Sequence, residues 1–470
     1  MKQPHFLLLC VVLGAALRLQ GGYGDLWLDE ATSLLAVRSF GSQPLLQVFT
    51  WAHDNNHPLN SLWLYLLRDA SAPWMFRLLS LLSGIGSLAL VFTWPLRGGW
   101  FEKSSLIFLW SFSYLLCLYD SEARGYAPMI FFGLLAWRGA ISFSHSQALT
   151  SVLLLNLSLV MSSLAHVSGA LWFVFLMAML CFKETTPKLV LKNLLAIAPA
   201  AVFLLGYYVF FIRHLPEGSG GLRSYTEVLL STTSLAVGGP QLSAFAPEIG
   251  AVALLVSVLF ALLVIRSTLM LWKSDRSLAA AMLTGVLIVP AFILLVLAPR
   301  VLYERYLLVP VVLCYFLLAY LLGRLWESSR GGRIFALVLL GAYLVGNAPK
   351  IISLITHGRG AYSVAFERMS RASSPQPVRV AFDQAYRGGQ MVELYGRSGV
   401  EGRAIQFVSE PSQADWYVLS SQELGFVAPQ DLDFKYAGYF KLQESYPAAP
   451  LSGFTWYTYQ RTATRLGESK

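Results

Sequence analysis

Long apolar runs separated by short polar connections dominate the pattern of this chain. Most runs are long enough to cross the roughly 30 Å of hydrocarbon in a bilayer as an α-helix, and they number about eleven. They lie at residues 5–20, 73–95, 104–119, 126–142, 149–165, 168–183, 190–212, 248–272, 278–299, 306–323 and 333–355. The pattern predicts a polytopic α-helical membrane protein whose transmembrane domain occupies residues 1–355.

The connection between the first two runs, residues 21–72, is too long for a simple loop. It contains two semi-apolar pieces, Thr32 to Val37 and Leu59 to Leu67. We expect both to lie in the membrane interface as amphipathic helices, because they are too short to span it. A second outer connection, residues 213–247, is rich in Gly and Ser around Glu217 to Gly221. It is either a mobile lid beside a site or an ordinary surface loop.

The pattern changes after Ile355, where the chain becomes polar and mixed. A helical piece is predicted near Gln390 to Tyr395. Four short β-like runs are Val378 to Phe382, Ala404 to Val408, Trp416 to Leu419 and Phe454 to Tyr459. We therefore predict a separate small α/β domain over residues 356–470, outside the membrane.

The composition supports the membrane interpretation and narrows the function classes. Of the 470 residues, 56% are hydrophobic and only 13% are charged, whereas a soluble domain carries about 25% charged residues. The net charge of +9 comes from basic residues scattered between apolar runs, so it indicates cationic membrane loops and no nucleic-acid partner. All four cysteines lie inside apolar runs, where they are core residues rather than a disulfide or metal framework.

The distribution of Lys and Arg predicts the side of the membrane on which each connection lies. Basic residues concentrate in alternate connections, which the positive-inside rule places in the cytoplasm. They include Lys103, Arg138, Lys183, Lys188, Lys192, Arg266, Lys273, Arg276, Arg324, Arg330 and Arg333. The other connections and the C-terminal domain then lie on the extracytoplasmic face. The first run resembles a secretory signal, but we expect it to be retained as a span.

Two adjacent carboxylates, Asp29 and Glu30, follow Trp27 shortly after the first span. Adjacent acids repel each other, so a purely structural role requires a cationic partner. A catalytic role explains the pair directly, since one carboxylate can take a proton from an acceptor hydroxyl while the other orients a neighbouring group or a sugar. We predict that Asp29 and Glu30 are catalytic.

A polar segment, residues 54–58, precedes the second interfacial piece. Its Asp54 and His57 side chains are candidates for binding sugar hydroxyls or for capping the helix that begins at Pro58. A divalent metal is the other interpretation, although the sequence names no further ligand and requires no cofactor.

A tight connection between two spans, residues 120–126, carries three charges. Arg124 can hold a phosphate through two parallel N–H groups while Glu122 fixes the guanidinium. The alternative is a surface turn whose charges satisfy one another. Arg305 lies in a similar charged segment before a later span, and His166, at an outer helix end, is either a headgroup contact or structural. The predicted substrate-binding residues are Asp54, His57, Glu122, Arg124, Tyr126, His166 and Arg305.

Several short motifs follow one another along residues 1–325. They are Leu17-Arg18-Leu19, Leu26-Trp27-Leu28-Asp29-Glu30-Ala31, Asn56-His57-Pro58-Leu59, Ser121-Glu122-Ala123-Arg124-Gly125-Tyr126-Ala127 and Glu304-Arg305-Tyr306-Leu307-Leu308-Val309-Pro310. In this order they resemble the GT-C superfamily of membrane glycosyltransferases, in the branch that contains protein O-mannosyltransferases and lipid A aminoarabinose transferases.

The resemblance implies an inverting transferase in the cell inner membrane that takes a sugar from a polyprenyl-phosphate-linked donor at the extracytoplasmic face. The family's Asp in the first outer loop corresponds to Asp29, the implied general base. Arg124 and Arg305 match the cations that would hold the donor phosphate, and an anionic leaving group indeed requires fixed positive charge. The sequence does not identify the sugar, or whether the acceptor is a lipid, a glycan or a protein.

Two other function classes fit the apolar pattern. A transporter or lipid flippase would line its path with the acids and arginines, but it would also place charges near mid-span and show an internal repeat. A membrane-anchored binding protein would act through its C-terminal domain and would need no clustered acids.

Overall fold

The computed structural model describes residues 3–41, 43–96, 98–183, 186–216, 223–242, 247–373, 377–396, 404–423, 425–434 and 438–462. Its helices α1 to α19 are, in chain order, Gln3–Gly21, Leu28–Arg38, Pro44–Thr50, Pro58–Leu66, Pro73–Phe92, Trp100–Ser111, Tyr114–Asp120, Tyr126–Ser146, Leu149–Ala165, Ala170–Lys183, Pro187–Phe210, Tyr225–Ala236, Pro247–Ser274, Arg276–Leu283, Val289–Phe292, Leu308–Ser328, Arg330–His357, Tyr362–Ala372 and Ala385–Tyr395. The strands β1 to β6 are Val378–Phe382, Ile405–Phe407, Trp416–Ser421, Asp431–Phe434, Gly438–Tyr446 and Thr455–Thr462.

Eight helices among the described residues are long and apolar enough to cross a membrane, or nine if the bent pair α6 and α7 forms one span. The eight are Pro4–Gly21, Pro73–Phe92, Tyr126–Ser146, Pro187–His214, Glu248–Ser274, Arg276–Val296, Glu304–Ser328 and Arg330–His357. All the predicted apolar runs therefore fold as helices, which is compatible with a membrane protein.

The difference from the predicted number of spans lies in three runs. The run at 104–119 is divided between α6 and α7, which meet at an angle of 55°. The runs at 149–165 and 168–183 form α9 and α10, which contain 17 and 14 residues. Both are shorter than the roughly 20 residues that an untilted span needs.

The helix α16 lies at the centre of the bundle. In its most apolar stretch 89% of the residues are buried, against 17% for the long helix α13. The exposed side chains of α13 are large and apolar, among them Leu254, Leu255 and Leu262. An outer surface of this kind suits lipid rather than water as its surroundings, because apolar patches of this extent are rare on soluble monomers.

The two predicted interfacial pieces are helical, in α2 and α4. The short helix α3 between them was not predicted, because its seven residues are too few to show a periodicity. In the second outer connection the structure places α12, which begins with a capping box between Ser224 and Glu227. The Gly- and Ser-rich stretch from Glu217 to Gly221 lies outside the described residues.

The C-terminal strands form one mixed sheet in the order β2-β1-β3-β6-β5-β4. The strand β1, next to the edge strand β2, is parallel to β2 and β3, and the remaining pairs are antiparallel. The four predicted β-like runs correspond to β1, β2, β3 and β6. The strands β4 and β5 were missed, because Asp431, Asp433, Lys441 and Glu444 interrupt their apolar positions.

The sheet region and the helical bundle share a hydrophobic core. Trp27, the residue before α2, and Ala31 of α2 pack with Tyr362, Phe366 and Trp456. The predicted boundary at residue 355 lies within the last turn of α17, which ends at His357. The connection between α1 and α5 is therefore covered in part by the sheet region, and α2 packs against both parts of the chain.

Buried polar contacts secure the same junction. The fully buried Arg359 donates to the carbonyl oxygens of Gly21 and Leu118, both at 2.8 Å. The Asp25 carboxylate accepts hydrogen bonds from the backbone N–H of Ser363 at 2.7 Å and from its hydroxyl at 3.0 Å. The Arg359 bonds connect the segment between α17 and α18 to the end of α1 and to α7, and the Asp25 bonds connect the residues before α2 to the first turn of α18.

Candidate functional site

Asp29 lies in the first turn of α2, between two arginines from distant parts of the chain. Its Oδ2 is 2.5 Å from Arg124 Nη1 and 3.4 Å from Arg305 Nη2. The three side chains are 14%, 3% and 15% exposed, respectively. The predicted base and the two predicted phosphate ligands thus form one cluster that is largely buried but open to a ligand.

The backbone around Arg124 is fixed by close packing. A Cβ atom on Gly125 would lie 1.6 Å from the carbonyl oxygen of Ala165, so only glycine allows this approach. The Ser80 hydroxyl donates to the Arg124 carbonyl oxygen at 2.8 Å, and the Asn60 side-chain amide donates to the Ala123 carbonyl oxygen at 3.0 Å. The tight connection between α7 and α8 therefore holds the guanidinium at a defined place.

Each of the two arginines keeps an N–H group that donates no hydrogen bond within the described residues. These groups are Arg124 Nε and Arg305 Nε, and both are buried. The Arg305 guanidinium also lies 4.3 Å from the ring centre of Tyr303 and 6.0 Å from that of Trp27. Because buried donors without acceptors are costly, this arrangement favours an anionic ligand at the arginines.

His57 orients Arg124. Its Nε2 atom lies 3.1 Å from Arg124 Nη2, which also donates to the Tyr126 hydroxyl at 3.3 Å. Burial, together with the charges of His166, Arg124 and Arg305, holds the pKa of His57 well below its usual value. The imidazole is therefore neutral and accepts the hydrogen bond, since a guanidinium can only donate.

His166 completes an aromatic cluster behind the arginines. Its ring centre is 4.6 Å from that of His57 and 4.7 Å from that of Tyr126. Burial lowers the pKa of His166 well below its usual value, and its Nδ1 accepts from the backbone N–H of Ser168 at 3.1 Å. Of the two interpretations of His166, these contacts favour the structural one.

Glu30 makes an ion pair separate from that of its neighbour Asp29. Arg77 donates to both its oxygens, at 2.8 and 2.6 Å, and the backbone N–H groups of Trp27 and Ala123 donate at 3.1 and 2.6 Å. Burial alone would raise the pKa of Glu30, but the Arg77 charge and hydrogen bonds keep it lowered. Glu30 is fully buried and its oxygens bind protein groups, so it orients neighbours rather than substrate.

Glu122 does not fix Arg124 as the sequence led us to expect. It accepts a hydrogen bond from the Trp27 indole N–H at 2.5 Å, and no ion pair joins it to Arg124 in the described part of the chain. The reason is the turn between α7 and α8, which directs the two side chains to different neighbours. Burial raises the pKa of Glu122 to about 7 against the opposing charges of Arg359 and Arg124.

Asp54 lies at the edge of the cluster, and its side chain is 33% exposed. Its Oδ1 atom is 2.9 Å from His53 Nδ1. Burial would raise the pKa of Asp54, but His53, Arg124 and Arg305 keep it lowered. The described residues contain no group of three or more His, Cys, Asp or Glu side chains that could hold a metal ion. Because His57 faces the Arg124 guanidinium, the pair Asp54 and His57 is also poorly suited to a divalent cation.

Two buried arginines at this end of the bundle were not predicted as site residues. Arg18 Nε donates to Asp120 Oδ2 at 2.7 Å between α1 and α7, and both side chains are almost completely buried. Arg359, which contacts the same end of α7, follows α17. The charge within an apolar run and the motif Leu17-Arg18-Leu19 were the signals for Arg18, whereas no signal was available for Arg359.

No family model matches this chain, and no curated protein matches it. The assignment of a function therefore rests on the residues of this cluster and their geometry.

Proposed function

We propose that this protein is an integral membrane glycosyltransferase that transfers a sugar from a polyprenyl-phosphate-linked donor to an acceptor hydroxyl. The observation that carries the proposal is the cluster of Asp29, Arg124 and Arg305, in which one carboxylate lies between two guanidinium groups that have unused N–H donors. A base next to an anion-binding pair is what transfer from a phosphate-linked sugar requires.

In the proposed reaction Asp29 accepts the proton of the acceptor hydroxyl. The hydroxyl oxygen forms a bond to the anomeric carbon of the sugar, and the bond from that carbon to the phosphate oxygen breaks, with inversion. The phosphate leaves with the bonding electron pair, and Arg124 and Arg305 stabilise its charge. Each guanidinium has five N–H groups, so it can contact Asp29 and a phosphate at the same time.

The remaining site residues have supporting roles in this proposal. His57 and Tyr126 hold Arg124, while Glu30 and Glu122 position the turn of α2 that carries Asp29. Asp54, at the open edge of the cluster, is the candidate for contact with sugar hydroxyls. No step requires a metal ion, because the arginines supply the positive charge.

An open apolar groove between α3 and α11 is suited to the prenyl chain of the donor. It has a volume of about 400 Å³ and is lined by Phe49, Val202, Phe203, Gly206, Tyr207, Phe210 and Phe211. The Asn56 side chain, next to His57, donates to the carbonyl oxygen of Val48 in α3 at 2.6 Å. The groove is thus connected to the cluster through one short segment.

The placement of the site on the extracytoplasmic face of the inner membrane follows from the positive-inside rule. Along the chain, the basic connections alternate with the connections that carry the cluster, so the two sets lie at opposite ends of the helices. If the basic connections are cytoplasmic, the cluster is on the extracytoplasmic side. A transporter or flippase would instead need charged groups that continue through the bundle. The charged cluster described here is confined to helix ends and to the connections between them.

The experiment is a comparison of lipid-linked sugars and surface glycans by mass spectrometry in cells that express the wild type or Asp29→Asn. Loss of one glycan modification with accumulation of its lipid-linked donor is expected for Asp29→Asn. Asp69→Asn is the matched control, because Asp69 belongs to the same outer connection and its side chain is 89% exposed. An unchanged glycan profile in Asp29→Asn at normal protein levels would refute the proposal.

A further inference from the structure

Arg387 comes from the sheet region but lies close to the site. It belongs to the first turn of α19, and α19 packs against α2, the helix that carries Asp29. The contact is fixed at the other end of α19, where the Tyr395 hydroxyl accepts a hydrogen bond from the Leu26 backbone N–H at 2.6 Å. The sheet region therefore forms part of the surroundings of Asp29.

The Arg387 side chain is held in one orientation. Its guanidinium carbon lies 3.5 Å from the ring centre of Phe454, and its Nη1 donates to the Ser420 hydroxyl. The Ser420 hydroxyl is in turn hydrogen-bonded to the Asp383 carboxylate at 2.8 Å. A guanidinium that is fixed before a ligand arrives loses little entropy on binding.

Part of the Arg387 guanidinium has no partner among the residues that the structure describes. Its Nε is buried and donates no hydrogen bond within the described residues, and no described carboxylate lies within ion-pair distance. Burial lowers the pKa of Arg387, while the charges of Asp383, Tyr362 and Asp29 act in the opposite direction. The packing of α19 against α2 brings Arg387 into the same region of the protein as Asp29.

The unused donor of Arg387 favours an additional anion. The Asp383 carboxylate, which Arg387 reaches through the Ser420 hydroxyl, balances part of its charge. A phosphate at Arg124 and Arg305 alone would leave the buried Arg387 Nε without an acceptor among the described residues. Half-buried arginines of this kind bind oxyanions through charge-assisted hydrogen bonds.

We propose that Arg387 is a second oxyanion-binding residue of the site, supplied by the sheet region. It binds an oxyanion of the substrates other than the phosphate at Arg124 and Arg305, so the inference rests on the proposed function. The oxyanion is either the second phosphate of a diphosphate-linked donor or an anionic group of the acceptor beside its attacking hydroxyl. In both cases the sheet region selects the substrate.

The test uses the full-length protein in detergent, with farnesyl phosphate, farnesyl diphosphate and inorganic phosphate as probes. Arg387→Gln is compared with the wild type and with Arg371→Gln, a control from the same region whose side chain is 63% exposed. Loss of one charge-assisted contact is expected to weaken binding about tenfold or more.

The pattern of losses distinguishes the two sources. If the oxyanion belongs to the donor, Arg387→Gln weakens the binding of farnesyl diphosphate and leaves the binding of farnesyl phosphate unchanged. If it belongs to the acceptor, both lipids bind normally, but inorganic phosphate no longer binds to protein that is saturated with farnesyl phosphate. Unchanged binding of all three probes would overturn the inference.

Two further variants separate ligand binding from a structural role. Ser420→Ala removes a hydrogen bond of Arg387 but keeps its charge, so it should bind the probes far better than Arg387→Gln does. Equal losses in both variants would indicate a structural role and overturn the inference. Failure of the proposed function has a different signature, since Arg124→Gln would then leave farnesyl phosphate binding unchanged. If the proposed function fails in this way, a titration of the wild type and Arg387→Gln with inorganic phosphate, in the absence of lipid, still tests the role of Arg387.

Discussion

Arg77 and Glu30 form a fully buried, two-point ion pair, with Arg77 Nη2 at 2.6 Å from Glu30 Oε2 and Arg77 Nε at 2.8 Å from Glu30 Oε1. The pair gives the two adjacent acids of α2 different surroundings. Glu30 is closed in by protein donors, whereas Asp29 stands between arginines that retain free N–H groups. Adjacent residues thus have separate roles because they lie on different faces of the same helical turn.

Glu30→Gln is expected to destabilise the protein strongly. The substitution leaves the Arg77 charge buried without its counter-ion, which costs about 3–5 kcal/mol. Thermal unfolding of the purified protein in detergent measures the loss, with the exposed Asp69→Asn as control. A normal unfolding temperature combined with complete loss of activity would contradict this role and make Glu30 catalytic.

Arg124→Gln should weaken the binding of farnesyl phosphate about tenfold or more, because it removes a charge-assisted contact to the phosphate. The loss should appear in a binding titration without any acceptor. Arg138→Gln is the matched control, since Arg138 is hydrogen-bonded to Thr93 at the exposed end of other spans. Equal affinities of the two variants would exclude Arg124 as a phosphate ligand.

Glu122→Gln should change the pH dependence of stability. Burial raises the pKa of Glu122 from 4.5 to about 7, so the folded state holds its proton more tightly than the unfolded state does. The contribution of the Glu122 carboxyl group to the free energy of unfolding is fully present below about pH 4.5 and is lost as the pH rises through 7. The variant should therefore gain stability relative to the wild type between pH 5 and pH 8, on the order of 1–3 kcal/mol.

The difference in unfolding temperature between Glu122→Gln and the wild type, measured at each pH, is the appropriate readout. The two buried histidines titrate equally in both proteins, so their contributions cancel. The Gln side-chain oxygen can still accept the hydrogen bond from the Trp27 indole. A difference that does not vary with pH would show that Glu122 is ionised throughout this range.

Gly206→Leu should block the proposed prenyl groove. A Cβ atom at Gly206 meets nothing within 4 Å, so the larger side chain enters the groove without disturbing α11. Binding of farnesyl phosphate should fall while stability is kept, since Leu is a better helix former than Gly. The same substitution at Gly341 is the control, because it fills a separate apolar groove lined by Phe6 and Trp100. Equal effects at both positions would refute the assignment of the groove.

Apolar runs and their breaks were sufficient to predict the long apolar helices, the two helical pieces between the first two runs and four of the six strands, whereas α3, α12 and α18 were missed. These features depend on local periodicity and on the length of each run, which a sequence displays directly. Individual site residues could also be selected from the sequence. A charged side chain beside a membrane span costs free energy, so its presence there indicates a specific role. Asp29, Arg124 and Arg305 were selected in this way, and the structure brings all three together.

The partners of those charges depended on contacts between distant segments. Periodicity does not reveal that Glu30 pairs with Arg77, that Glu122 faces Trp27 instead of Arg124, or that α19 of the sheet region packs against α2. An ion pair forms where two surfaces meet, and its geometry depends on how whole helices pack. The tertiary structure alone therefore decided which carboxylate stands between arginines with free donors and which is enclosed by protein groups.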